Sequence, residues 1–136
     1  SLDSLLDILE ALGVTISEFF GNIGQTRMVF SPKERVAVGE KGIQKFEILI
    51  PGSTNNMMDP IMIGLAPGEE LPEEGPHNGE EFGYILSGVL TVKIGRKVYK
   101  VPPRHCFYFE ADQTHQYVNR GKVVTNFLWI TSPPQM

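Results

Sequence analysis

The chain has 136 residues, 41% hydrophobic and 21% charged, a composition typical of one soluble globular domain. Its 12 Lys and Arg against 16 Asp and Glu give a formal net charge of -4, which argues against nucleic-acid binding by this chain alone. The single cysteine, Cys106, excludes an internal disulfide and a zinc ribbon. The sequence shows neither a membrane span nor a signal-peptide pattern, so we expect a cytoplasmic location and no membrane partner.

The N-terminal segment predicts two short helices. Leucines and isoleucines recur at helical spacing over Leu2–Leu12 with acidic residues on the other side, and Gly13 suits the position after a helix. Thr15–Glu18 has the composition of a capping box, which predicts the start of a second helix. A break in composition then separates this helical appendage, residues 1–22, from the β-prone remainder, residues 26–136.

The remainder predicts a succession of short β-strands. Short β-prone runs are separated by glycine- and proline-rich turns, and no helical period appears between them. We expect strands at Arg27–Phe30, Glu34–Val38, Gln44–Ile50, Met57–Leu65, Glu81–Leu86, Val89–Ile94, Lys97–Val101, Cys106–Phe109, Gln116–Val118 and Val123–Ile130. Many short strands without a crossover helix favour an all-β sandwich or barrel.

Two histidines and one glutamate have a spacing that suits a metal site. His77 and Glu81 are four residues apart, so on one strand they would share a face, and His115 could reach them from a neighbouring strand. Two imidazoles and a carboxylate suit a divalent metal such as Zn, Mn, Ni or Fe, with positions open for water or a ligand. In the alternative interpretation the same groups hydrogen-bond to one another and hold water or an organic ligand.

The segment around these residues resembles the first of the two motifs of the cupin superfamily. His77, Glu81 and Gly88 match its second histidine, its glutamate and its closing glycine. The leading histidine of that motif falls on Gly75, so one of the four usual metal ligands is absent.

A second segment resembles the second cupin motif. His115 and Asn119 match its last two fixed positions, whereas its two glycines and its proline fall on Arg104, Asp112 and Glu110. The resemblance to cupins implies an all-β, double-stranded β-helix (jelly-roll) barrel with a short N-terminal helical appendage.

The first twenty residues resemble the closing two helices of an Xre-type helix-turn-helix domain. Those helices complete the core of that domain without contacting bases, and the recognition helix precedes them, so it is missing from this chain. The order of a helix-turn-helix followed by a cupin is that of known transcriptional regulators. The resemblance therefore implies that residues 1–22 close a truncated helix-turn-helix domain and that residues 26–136 form the cupin domain.

This architecture implies a ligand-sensing domain of a DNA-binding transcriptional regulator. A small effector would bind inside the barrel, and the chain would contact DNA only through the missing part of its helix-turn-helix domain. We expect a homodimer that pairs through the predicted strands at Arg27–Phe30 and Glu34–Val38. The expected lining of the ligand pocket is Tyr117, Asn119, Phe127 and Trp129.

Two alternatives accompany this interpretation. One is a small metal-dependent cupin enzyme, a dioxygenase or an isomerase, although no residue has a spacing that assigns it a catalytic role. The other is a purely structural dimerisation domain with an empty barrel.

The acidic residues around the first motif also have two interpretations, because they either attract an amine ligand or form a solvated loop. They are Glu69, Glu70, Glu73, Glu74, Glu80 and Glu81.

Overall fold

The computed structural model of the chain describes residues 2–13, 27–39, 43–52 and 56–134. The chain divides into two units, Ser1–Phe30 and Ser31–Met136. In the first unit, helix α1 (Leu2–Leu12) forms where the apolar period predicts it. It ends at Gly13, which adopts φ +72°, a conformation that favours glycine.

Two predictions for the N-terminal region have different outcomes. The second helix, predicted to start at Thr15–Glu18, lies outside the described residues. The strand predicted at Arg27–Phe30 is wrong, because this segment is irregular. The Arg27 guanidinium lies 4.6 Å from the centre of the Phe30 ring and donates to the Val29 carbonyl, so the segment makes local contacts in place of a strand pairing. No helix among the described residues has the length and apolar character needed to cross a membrane.

The second unit begins with a short 3-10 turn. Pro32–Glu34 forms this turn, and the Ser31 amide donates to the Glu34 carboxylate. Proline suits the first position of such a turn because the position needs no amide hydrogen. The strand predicted at Glu34–Val38 is therefore confined to Val36–Ala37.

Nine strands follow in the described part of the chain. They are β1 (Val36–Ala37), β2 (Lys45–Ile48), β3 (Asp59–Leu65), β4 (Glu80–Ser87), β5 (Leu90–Ile94), β6 (Lys97–Val101), β7 (Cys106–Glu110), β8 (His115–Val118) and β9 (Thr125–Ser132). They form a six-stranded sheet, β1-β2-β3-β9-β4-β7, and a three-stranded sheet, β6-β5-β8. Every pairing is antiparallel, and the two sheets pack as the predicted all-β jelly-roll class requires.

The core lies between the inward faces of the two sheets. Along β9, buried and partly exposed residues alternate at each position, as the two-residue period of a strand requires. The buried members of the cluster are Phe46, Ile61, Ile63, Leu65, Leu71, Ile85, Leu90, Val92, Val101, Tyr117, Phe127 and Trp129. The Phe107 ring packs onto β4 at Gly83, where an added Cβ would lie 2.0 Å from that ring. This glycine therefore makes room for the aromatic side chain of β7.

Candidate functional site

Four potential metal ligands meet between the two sheets. Glu74, His77, Glu81 and His115 each place one ligand atom within 4.8 Å of the others. Glu81 is in β4 of the larger sheet, and His115 begins β8 of the smaller one. The three residues predicted from the motif spacing are thus brought together, and Glu74 joins them.

The loop before β4 is fixed by backbone pairing. Glu74 and His115 exchange two backbone hydrogen bonds, each 3.0 Å long, and the His77 amide donates to the Ala111 carbonyl at 2.8 Å. Glu74 is therefore held beside the start of β8 and His77 beside the end of β7, although both lie outside the strands.

Glu81 is the centre of the cluster and is completely buried. Its Oε1 accepts hydrogen bonds from the Tyr117 hydroxyl and, at 2.8 Å, from the Trp129 indole. Its Oε2 lies 2.7 Å from His115 Nε2 and 3.0 Å from His77 Nε2. One carboxylate oxygen is thus fixed by two core side chains, while the other faces the histidines.

Both histidines present the same ring nitrogen to the cluster. Nδ1 of His77 lies 3.1 Å from the Asn78 carbonyl, and Nδ1 of His115 lies 3.0 Å from the Gln113 carbonyl. Each Nδ1 therefore donates its proton to a backbone carbonyl, and each Nε2 faces the cluster, where it can coordinate a metal once it carries no proton. A backbone partner of this kind is usual for metal-binding histidines.

His115 Nε2 is the observation that tests the fit of a metal. The nitrogen is buried and makes no well-formed hydrogen bond with any described residue, although Glu81 Oε2 is 2.7 Å away and Glu74 Oε2 is 3.3 Å away. A divalent cation would satisfy this nitrogen together with the two carboxylates. Two imidazoles and two carboxylates suit Zn, Mn, Ni or Fe(II), so the residues present fit such a group.

The charges of the cluster shift two pKa values in opposite directions. Burial raises the pKa of Glu81, but the contacts from His115, Tyr117 and Trp129 outweigh burial and lower it to about 2. Burial lowers the pKa of His115, but the contacts with Glu74 and Glu81 outweigh burial and raise it to about 10. Without a metal, therefore, the pair exists at neutral pH as imidazolium and carboxylate.

Tyr117 keeps its proton throughout the neutral range. Burial and then the charge of Glu81 raise the pKa of its hydroxyl well above its usual value. The hydroxyl can therefore donate to Glu81 at any ordinary pH.

Glu74 is a residue of the site that neither cupin motif includes. In the sequence it belongs to the acidic residues around the first motif, which are expected either to attract an amine or to form a solvated loop. The available signal was its position next to Gly75, where the first cupin motif has its leading histidine. The Glu74 carboxylate supplies a fourth donor to a cluster in which that histidine is absent.

The residues predicted to line a ligand pocket occupy two kinds of position. Tyr117, Phe127 and Trp129 are buried in the core cluster. Tyr117 and Trp129 each donate a hydrogen bond to the Glu81 carboxylate. Asn119 donates to the carbonyls of Leu65 and Val123 and accepts from the amide of Gly121. These bonds give Asn119 a role in holding a turn, and the ligand-binding assignment of all four stays a prediction.

A cleft beside the cluster offers more room. It has a volume of about 610 Å³ and lies between β5 and β6 on one side and β7 on the other. Phe107 and Phe109 form one wall, with ring centres 6.1 Å apart. The Phe109 ring also lies 5.3 Å from the His115 imidazole, so this aromatic pair separates the cleft from the Glu–His cluster. A cleft of this volume is in the range of small-molecule sites.

The fold and the cluster agree with one protein family. The sequence pattern of the cupin domain family matches residues 61–131, more than half of the chain, and this range includes all four clustered residues. The chain belongs to the cupin domain family. The family resemblance identified from the two motifs is thereby confirmed.

Relatives of this cupin include regulators that carry a helix-turn-helix domain. The HTH-type transcriptional regulator PuuR of Escherichia coli is 21% identical over 136 residues, which cover 98% of this chain and 73% of PuuR. The solved cupin domain of an XRE family transcriptional regulator from Enterobacter cloacae is 27% identical, with a TM-score of 0.58, over 66% of this chain and 96% of that domain.

A solved protein named as an enzyme shares the fold. A predicted oxalate decarboxylase from Thermotoga maritima has a TM-score of 0.67 at 17% identity, over 77% of this chain and 98% of that chain. The cupin fold thus occurs in regulators and in proteins named as enzymes, and function has to be argued from the site.

Proposed function

We propose that the chain is the ligand-sensing cupin domain of a DNA-binding transcriptional regulator. The observation that carries this proposal is the extent of the similarity to PuuR, which covers 98% of the chain and therefore includes the N-terminal helical segment as well as the barrel. In this proposal residues 1–22 close a helix-turn-helix domain, and the cupin domain begins near residue 26.

The effector site combines the cluster with the neighbouring cleft. Glu74, His77, Glu81 and His115 would hold a divalent metal, which would supply a Lewis acid able to bind an oxygen or nitrogen atom of the effector. Tyr117 and Trp129 would fix the orientation of Glu81 both with and without the metal. The apolar part of the effector would pack against Phe107 and Phe109 in the cleft, whose volume is sufficient for a small metabolite.

Signalling follows from differential affinity. An effector changes DNA binding only when it binds one arrangement of the paired DNA-binding domains more tightly than another. Phe109 lines the cleft and also contacts the His115 ring. An effector bound in the cleft would therefore act on the cluster through Phe109.

A metal-dependent enzyme, either a dioxygenase or an isomerase, is the second candidate. The observation that favours it is the set of four donors in the cluster, which suits a catalytic metal with open positions. A sensor and an enzyme both bind a small molecule, but only the enzyme converts it to a product, so an assay for conversion distinguishes them.

A metabolite panel tests the proposal. The protein is incubated with each compound, with and without Zn, Mn, Ni or Fe(II), and both the thermal midpoint and the mass spectrum of the compound are recorded. A sensor predicts a compound that raises the midpoint and is recovered unchanged, because a ligand at 100 times its Kd stabilises the folded state by about 2.7 kcal/mol. Conversion of the stabilising compound to a product would overturn the proposal in favour of the enzyme. A matched Val98→Ala variant, altered on the exposed side of β6, should respond as the wild type does.

A further inference from the structure

The two oxygen atoms of the Glu81 carboxylate have different surroundings. Oε1 accepts hydrogen bonds from the Tyr117 hydroxyl and the Trp129 indole. Oε2 lies 2.7 Å from His115 Nε2 and 3.0 Å from His77 Nε2. An ionised carboxylate offers about four lone-pair sites, two on each oxygen. The two donors therefore fill both sites of Oε1, and only Oε2 faces the histidines.

Neither donor has another acceptor in reach of the same side chain geometry. An indole nitrogen can only donate, and a tyrosine hydroxyl keeps its proton at neutral pH. Tyr117 is 3% exposed and Trp129 is 4% exposed. If Oε1 turned toward the histidines, two buried donors would lose their acceptor, and a buried donor without an acceptor is destabilising. The hydrogen bonds therefore oppose rotation of the Glu81 carboxylate.

The two donors come from opposite sheets. Tyr117 is in β8 of the smaller sheet, and Trp129 is in β9 of the larger one. The Tyr117 ring centre lies 5.7 Å from that of Trp129 and 5.3 Å from that of Phe107. Because side chains in a core are closely packed, neither ring can follow a rotation of the carboxylate without repacking its neighbours. Oε1 is thus held from both sides.

The number of oxygen atoms that Glu81 offers determines how many positions stay open on a bound metal. Glu74, His77, Glu81 and His115 can each offer one ligand atom. Mn(II) prefers octahedral geometry, so four ligand atoms leave about two positions for water or an effector. A Glu81 carboxylate that bound through both oxygens would occupy one of those two positions.

The cluster is accessible from one side. The side chains of His77 and Glu74 are 17% and 39% exposed, whereas those of Glu81 and His115 are buried. His77 also lines a recess of about 240 Å³ at the end of β7. A small molecule can therefore approach the cluster past His77, and an open position on the metal would be of use to it.

We propose that Tyr117 and Trp129 are positioning residues that restrict Glu81 to a single metal-binding oxygen and so keep one coordination position open for the effector. This inference rests on the proposed function, in which an atom of the effector binds the metal. Outer partners of a metal ligand commonly orient it in this way. Packing alone does not require the Tyr117 hydroxyl, because phenylalanine would fill nearly the same volume.

Water-proton relaxation of the Mn(II)-loaded chain tests the inference. With all Mn(II) bound, the relaxation enhancement per Mn(II) rises with the number of exchanging water molecules on the metal. The wild type should show the enhancement of about two waters, and Tyr117→Phe combined with Trp129→Phe should show about half of it, because the released Oε1 then binds the metal. Each single variant frees one lone-pair site of Oε1, so at least one of them should show the same decrease.

The matched control is Tyr84→Phe. It removes a hydroxyl from a partly exposed tyrosine of β4, the strand of Glu81, and should keep the wild-type enhancement. If Tyr117 and Trp129 only supported the fold, their variants would lower the thermal midpoint or the Mn(II) affinity without a decrease in the enhancement per bound Mn(II). Far-ultraviolet circular dichroism reports which variants keep the fold.

Two results would overturn the inference. One is an enhancement that is unchanged or increased in every folded variant of Tyr117 and Trp129. The other is a wild type that binds no Mn(II). Neither result contradicts the sensor proposal, because a compound that raises the thermal midpoint and is recovered unchanged supports a sensor with or without a metal. Conversion of that compound to a product would contradict the sensor and leave the restriction of Glu81 standing.

Discussion

Replacement of Glu81 by glutamine tests whether charge stabilises the cluster. The variant keeps the size of the side chain and an oxygen that accepts from Tyr117 and Trp129, but it removes the negative charge beside His115. A hydrogen bond to a charged group contributes about 1.5–3 kcal/mol, against about 1 kcal/mol between neutral groups. The contacts of Glu81 with Tyr117, Trp129, His115 and His77 weaken, while the partly exposed Glu74 carboxylate still lies 3.3 Å from His115 Nε2. We therefore expect Glu81→Gln to lower the free energy of unfolding by about 2–4 kcal/mol at pH 5.5.

This loss of stability should depend on pH. The pKa of Glu81 is lowered to about 2 in the folded state, so its contribution is present above pH 4.5 and is lost as the pH falls toward 2. The pKa of His115 is raised to about 10, so its contribution is present below pH 6.5 and is lost as the pH rises toward 10. Both contributions are complete only between pH 4.5 and 6.5, and the difference between wild type and variant is largest there.

Urea unfolding with a metal chelator present measures this dependence. The fluorescence of Trp129, the single tryptophan, follows unfolding of wild type and Glu81→Gln at pH 5.5 and at pH 9.5. The matched control is Glu73→Gln, the same chemical change at an exposed carboxylate of the preceding loop, which should change stability by less than about 0.5 kcal/mol. A difference of the same size at both pH values would refute the ion pair between Glu81 and His115.

Three further predictions address the metal, the packing and DNA. Calorimetric titration with Zn, Mn, Ni and Fe(II) should show metal binding that His115→Ala abolishes, and equal uptake by both proteins would contradict the site. The metal affinity of the wild type should rise about tenfold per pH unit from pH 7 to 9, because His115 must release a proton before it coordinates. Gly83→Ala should lower the free energy of unfolding in urea by about 1–3 kcal/mol, because the added methyl group would clash with the Phe107 ring. The control Gly75→Ala should lower it by less, because an added Cβ at Gly75 has no neighbour within 4 Å. Gel-shift assays at low salt should show no sequence-specific DNA binding by this chain, given its formal net charge of -4; a specific complex would refute that prediction.

The strands could be predicted because their signal is local. Alternating residues and turn dipeptides fixed the positions of β2 to β9 to within a few residues, and the cupin motifs indicated how they fold together. Arg27–Phe30 also has β-prone composition, but a strand forms only where a partner is available to pair with it. Sequence composition carries no information about that partner, so the prediction failed at this segment.

The candidate site was predictable only in part, for the same reason. His77, Glu81 and His115 have fixed spacings within two motifs, so they could be grouped from the sequence. Glu74 reaches the cluster through backbone bonds with His115, a partner that is distant in sequence, and its own surroundings resemble a solvated acidic loop. The strand period places Tyr117 and Trp129 on an inward face, but it does not tell whether space for a ligand remains beside them. In the structure their polar atoms contact Glu81.

Strands β4 and β9 connect the cluster with the outer face of the larger sheet. On β4, Glu81 faces the cluster while its neighbour Phe82 is partly exposed, and on β9 Trp129 donates to Glu81 while its neighbour Leu128 is partly exposed. A ligand that moved Glu81 or Trp129 would therefore act on backbone that also carries side chains of the outer face. If the chain pairs with a second copy and the paired form binds such a ligand more tightly than the single chain does, the ligand strengthens pairing by the same factor, because the coupling free energy is reciprocal. A ligand that binds both forms equally well would leave pairing unchanged, however tightly it binds.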